Sequence, residues 1–151
     1  MQVSQIMSRA VVSIAPDATV REAAEVLRRH DIGVLPVVEK DRAVGIVTDR
    51  DIVLNILPDA TQAIDRPVHE AMSPRPVCCR KDQSVADAAA LMGDEQIERL
   101  LVVDGQGRLV GVLSVGDIAV NASEELAGQA VGEICEDRNT GAPGHKIRPP
   151  G

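Results

Sequence analysis

The stretch GIVTDRDI, from Gly45 to Ile52, returns as GVLSVGDI, from Gly111 to Ile118, and this duplication constrains the fold more than any bulk property of the chain. Self-similarity at a fixed spacing means one supersecondary unit built twice, with each copy burying part of the other. In both copies a glycine and aliphatic residues lead to a hydroxyl residue, and an aspartate follows three positions later. A strand handing over to a helix reads this way. That junction is where function is expected.

The flanks repeat as well. Val3–Ser8 (VSQIMS) reappears as Val68–Ser73 (VHEAMS), and AVVSIAPDATV as PVCCRKDQSV. A helix then opens on Thr19 with Glu22, a capping-box spacing, and places Val20, Ala23, Ala24 and Leu27 on one face. Its counterpart opens on Ser84 with Asp87 and presents Val85, Ala88, Ala89 and Met92. IGVLPVV and IERLLVV read as buried strands, each returned by a hairpin through EKDR or DGQG, where Asp104-Gly105 is a turn signal. Each unit therefore reads strand, helix, strand, strand, helix. The first strand is expected to run parallel to the second through a right-handed crossover. The last helix of unit one should run from about Asp49 to Leu57 and stop at Pro58. The matching helix from Val115 should reach about Ile134 in two segments, weakened at Gly128 and Gly132. The fold class is α/β (α+β), two repeated units with pseudo-twofold symmetry. They are expected at 1–57 and 68–123, with a linker at 58–67, a helical extension at 124–135 and a flexible tail at 136–151.

Composition narrows the chemistry. The 151 residues include no Phe, Tyr or Trp, so a nucleobase could be held only by aliphatic side chains and backbone groups. A formal net charge of −7 with mixed signs argues against nucleic acid. No apolar run approaches a membrane span and MQVSQIMSR lacks signal-peptide character, so a cytoplasmic protein without membrane attachment is expected. Cys78, Cys79 and Cys135 form neither a disulfide framework nor a zinc pattern, and His30, His69 and His145 have no ligand spacing with them. With no P-loop and no nucleophile beside a base, neither catalysis nor a metal site is expected.

At the strand–helix junctions Thr48 or Ser114 stands where helix N–H groups lack partners and favour an anion. Asp51 or Asp117, one turn in, could accept from a ribose diol. A capping box accounts for the same pairs without any ligand, and the two roles can coexist. Arg50 could neutralise a phosphate or simply be solvated. Gly45 and Gly111 open space for a ligand or for close backbone contact, the second being the plainer reason.

Taken together, IGVLPVVE with GIVTDRDI and RLLVVD with GVLSVGDI resemble a tandem pair of CBS (cystathionine-beta-synthase) domains, standing alone. The resemblance spans nearly all of the chain to about Ser123. It implies a homodimer whose clefts between repeats bind adenosine-containing ligands: AMP, ADP, ATP, NAD or S-adenosylmethionine. It further implies that Thr48 and Asp51, and Ser114 and Asp117, contact phosphate and ribose, with Asp49 and Arg50 beside them. Ile32, Val34, Pro36 and Ile97 would line the pocket. Unit two has Val115-Gly116 in place of Asp49-Arg50, and Leu101 in place of Pro36, so the resemblance points first to the Thr48 side. The expected function is a ligand sensor acting on a separate regulated protein. The rivals are a ligand-free structural or interaction dimer and a redox sensor working through Cys78 or Cys79.

Overall fold

The computed structural model describes residues 1–59 and 63–138; part of the expected linker and nearly all of the expected tail lie outside them. Helix α1 (Val20–His30) starts where the sequence indicates. Thr19 Oγ1 accepts from Glu22 N–H at 3.1 Å, and Glu22 Oε2 accepts from Thr19 N–H at 3.0 Å. The helix stops at Asp31, whose φ of 52° is left-handed, a conformation that Asp tolerates better than most residues. Helix α3 (Val85–Glu95) repeats the plan, capped by Ser84 and ended by left-handed Gln96.

After α1, strands β1 (Val34–Glu39) and β2 (Arg42–Thr48) form an antiparallel hairpin in which Val34 faces Thr48 and Pro36 faces Ile46. Lys40 and Asp41 both take positive φ at its tip, which suits the twist of a two-residue turn. In the second copy β5 (Arg99–Val103) and β6 (Leu109–Ser114) pair with Arg99 opposite Ser114 and Leu101 opposite Val112. There the left-handed residue is Gly107, not Gly105, because Asp104 instead accepts the Gln106 and Arg108 N–H groups. The expected parallel opening strand exists in full only in unit two, as β4 (Cys78–Arg80) beside β5. In unit one it is reduced to a bridge at Ile14 to Val37.

The leading segments do not stay with the units they open. Val3 and Met7 are buried with Cys79, Ala88, Leu100 and Ile118 of unit two, while Val68 and Ala71 are buried with Ala23, Leu35, Val47 and Ile52 of unit one. Backbone bonds fix the exchange: Val3 N–H donates to Gln83 O at 2.9 Å and Val68 N–H to Ala18 O at 2.7 Å. Ser8 is bonded in both directions to Val112, and the short strand β3 (Ser73–Pro74) pairs with Gly45 and Ile46 of β2. Each crossing needs a glycine beneath it. A Cβ on Gly45 would stand 2.5 Å from Met72 Sδ and 2.9 Å from Ser73 O, and one on Gly111 would stand 2.6 Å from Met7 Sδ and 2.9 Å from Ser8 O.

The ends of the units differ. Helix α2 (Asp49–Asp51) continues as a π-helical turn over Ile52–Ile56 and a 3-10 turn over Leu57–Asp59, where Pro58 has no N–H to extend an α-helix. In unit two α4 (Val115–Asn121) ends at Ala122 and α5 (Glu124–Ile134) begins afresh, capped by Ser123 Oγ on Leu126 N–H at 3.1 Å. The break thus falls at Ser123, while Gly128 and Gly132 lie within α5. Helix α5 packs on α3 and α4 and covers the face that includes Ala89. Its counterpart Ala24, expected to be buried on α1, is exposed, because no comparable helix lies there among the described residues.

Replacing Gly45 or Gly111 with Ala is expected to cost about 1–3 kcal/mol, since Met Sδ and a backbone carbonyl would both have to move. Gly128→Ala, where a Cβ meets open space, should gain roughly 0.5–1 kcal/mol. Urea unfolding of the three variants checks the contrast.

Candidate functional site

Directly opposed residues of an antiparallel pair share one face of the sheet, so the registers above place Arg99, Leu101, Val112 and Ser114 on one surface of the second hairpin. Val34, Pro36 and Ile46 form the matching surface of the first. Between them lies a cleft of about 380 Å³ with these residues as its floor, a size usual for small-molecule sites. One wall is the extended chain after the exchanged leading segment, through Ser8, Ala10, Val11 and Val12. The other comes from Asp31, Ile32 and Gly33 at the end of α1, and Asp117 of α4 completes the lining. The floor is apolar, with Pro36 and Leu101 buried.

Ser114 and Asp117 are held by a reciprocal pair of bonds: Asp117 Oδ2 accepts from Ser114 N–H at 2.9 Å, and Ser114 Oγ accepts from Asp117 N–H at 3.0 Å. Thr48 and Asp51 do the same at 2.9 and 3.0 Å. The capping role is therefore realised at both junctions. Each box engages one carboxylate oxygen and leaves the other able to accept from a ligand. The helix starts are also tied to the loops preceding β1 and β5, since Asp49 N–H donates to Gly33 O at 3.1 Å and Val115 N–H to Glu98 O at 3.0 Å. Those bonds hold each hydroxyl residue beside the loop that turns into its own hairpin.

Of the residues singled out from sequence, Ile32, Val34, Pro36, Ser114 and Asp117 line this one cleft. Thr48, Asp49, Arg50, Asp51 and Ile97 do not line it. Thr48 and Asp51 are half-buried in their own box, Asp49 and Arg50 are exposed, and Asp49 Oδ1 accepts the Arg50 N–H at 2.7 Å. The cleft thus joins the Ile32–Pro36 segment of unit one to the Ser114 side of unit two, although the resemblance pointed first to Thr48. Sequence reasoning missed Arg99 and Asp31 as lining residues. Arg99 was detectable, because period-two alternation puts it on the same face as Leu101. The Ser8–Val12 wall was not, since it is brought there by the exchange.

The sequence pattern of the CBS domain matches residues 3–58 and 68–124. The chain belongs to the CBS domain family. It is 40% identical over 133 residues to the CBS domain-containing protein YhcV of Bacillus subtilis, covering 87% of this chain and 94% of that one. Among solved structures it is similar to CBSX2 of Arabidopsis thaliana in complex with AMP, with 29% identity and a TM-score of 0.69 over 80% of this chain and 95% of the other. The CBS domain pair of protein MJ0100, in complex with 5′-methylthioadenosine and S-adenosyl-L-methionine, matches at 27% identity and a TM-score of 0.69, covering 85% and 98%. The mixed α/β fold of two CBS repeats is therefore shared with these structures.

Beside the second CBS repeat's opening strand, burial raises the Cys78 thiol above its ordinary pKa. Burial, together with the neighbouring Cys78, pushes Cys79 up to about 11. Both thiols therefore stay protonated at neutral pH, and only the thiolate is a strong nucleophile. Cys135 is exposed. Among the described residues no group of His, Cys, Asp or Glu could hold a metal ion, and no helix is long and apolar enough to cross a membrane; His145 lies outside those residues. Alkylation by iodoacetamide at pH 8, followed by mass spectrometry, should label Cys135 first and Cys79 last. Cys79 is expected to react at least about tenfold more slowly until the protein is unfolded.

Proposed function

We propose that this CBS pair is a non-catalytic regulatory module that binds an adenosine-containing ligand between its repeats and passes occupancy to a separate protein as a homodimer. The observation that carries the reading is the Ser114–Asp117 pair, held rigidly at the edge of an apolar cleft built from both repeats. The free oxygen of Asp117 suits a ribose hydroxyl, and the aliphatic floor suits a purine face in a chain without aromatic residues. AMP bound to CBSX2, and 5′-methylthioadenosine and S-adenosyl-L-methionine bound to MJ0100, support the ligand class. AMP, ADP, ATP, NAD and S-adenosylmethionine are the candidates. Signalling requires that the ligand bind two states of the module with different affinity, since equal affinity shifts nothing. Opposite repeats lining one cleft provide surfaces whose separation a ligand can change.

The homodimer is supported by the apolar side chains left uncovered on the last helix of repeat one, Val53, Leu54 and Leu57, which are large for a helix surface facing water. Sedimentation of the purified chain should give a dimer, and Val53→Glu with Leu57→Glu should give a folded monomer.

A ligand-free scaffold is the second reading. The complete capping boxes favour it, because they give Thr48, Asp51, Ser114 and Asp117 a structural task in the empty protein. Titration calorimetry with the five candidates, repeated on Asp117→Asn, separates the two. The variant keeps a side-chain oxygen for the cap and loses the charge. Micromolar binding weakened at least about tenfold by the substitution is the expected result; no heat from any candidate on a folded protein would establish the scaffold instead.

A further inference from the structure

This inference rests on the ligand-binding reading and concerns which ligands the Ser114 cleft accepts. Among its described lining residues the charged side chains are Asp31, Arg99 and Asp117. Arg99 stands open to solvent, and its guanidinium makes no hydrogen bond or ion pair with the described residues. It lies directly opposite Ser114 in the β5–β6 register, so the two side chains are neighbours on the cleft face. Ser114 Oγ already accepts from Asp117 N–H, which leaves its own hydroxyl proton to be donated. A guanidinium fork and a hydroxyl side by side match one phosphate or one carboxylate.

A second anionic group would find no such partner. The remaining charges in the cleft are the carboxylates of Asp31 and Asp117. Like charges in a partly desolvated site repel more strongly than in water. We infer that the Ser114 cleft takes an adenosine ligand bearing a single anionic group, held by Arg99 and the Ser114 hydroxyl, and turns away nucleoside di- and triphosphates. The phosphate of AMP and the carboxylate of S-adenosylmethionine share this chemistry.

The test is titration calorimetry of the full chain with adenosine, AMP, S-adenosylmethionine and ATP. Each titration is repeated on Asp117→Asn, which assigns the lost heat to this cleft, and on Arg99→Gln. AMP or S-adenosylmethionine should bind at least about tenfold more tightly than adenosine and than ATP. Arg99→Gln should reduce that ligand to the adenosine level while leaving adenosine itself within about twofold and the melting temperature unchanged. The tighter of the two names the anion, and either upholds the inference. ATP binding in this cleft as tightly as AMP, or an unaltered preference in Arg99→Gln, would overturn it. Adenosine binding with no gain from either anion would overturn the inference alone, whereas no heat from any ligand on a folded protein would overturn the ligand-binding reading with it.

Discussion

The reciprocal crossing of the two leading segments is the contact on which the rest of the molecule depends. Val3 and Met7 close the core of the second repeat, and Val68 and Ala71 close that of the first, so neither sheet is complete without chain from the other half. The crossings are tight because the backbone of each segment approaches a sheet strand at a glycine, with a methionine thioether lying where a Cβ would be. Met is suited to that place, being unbranched and able to fill an irregular gap. The crossing also lays Ser8 and the chain after it along one side of the cleft, so the same device that joins the repeats builds a wall of the site.

The site itself joins structural and chemical roles in the same atoms. Asp117 caps a helix with one carboxylate oxygen and keeps the other for a visitor, and Ser114 accepts a bond while keeping its proton. This arrangement fixes both side chains before anything binds, which lowers the ordering cost of binding. It also explains why hydroxyl-x-x-Asp recurs in both repeats: the local cap supplies stability at Thr48 and at Ser114 alike, while the surroundings of each pair differ in charge.

Much of the fold could be read from residue pattern. The capping boxes at Thr19 and Thr48, the caps at Ser84 and Ser114, the two hairpins and the helix stripes all rest on interactions within a few residues, which a sequence displays directly. What stayed hidden was long-range. Val3–Ser8 resembles Val68–Ser73 whether the segments are exchanged or not, so their crossing leaves no local mark. Ala24 and Ala89 occupy matching helix positions, yet only Ala89 is covered, because α5 exists on one side. Gly128 and Gly132 indicated a break that Ser123 makes instead, since a good cap nearby outweighs weak propensity within a packed helix. The five cleft residues named from sequence were gathered, but their union across opposite repeats followed from the exchange rather than from any motif.

The helix α5 that covers α3 and α4 gives the pair a mechanical asymmetry. Its end is pinned by Gln96 Nε2, which donates to Glu133 O, Ile134 O and Glu136 O, and by Arg138, which donates to Gly93 O and Asp94 O at the end of α3. Repeat one has no such clamp among its described residues, and its last helix relaxes into a π turn with apolar side chains facing water. Local opening is therefore cheaper in repeat one than in repeat two. A cleft shared by a stiff half and a soft half has a consequence for any occupant: its binding energy falls mainly on ordering the soft half, so occupancy is felt most on the surface of α2, far from the clamp.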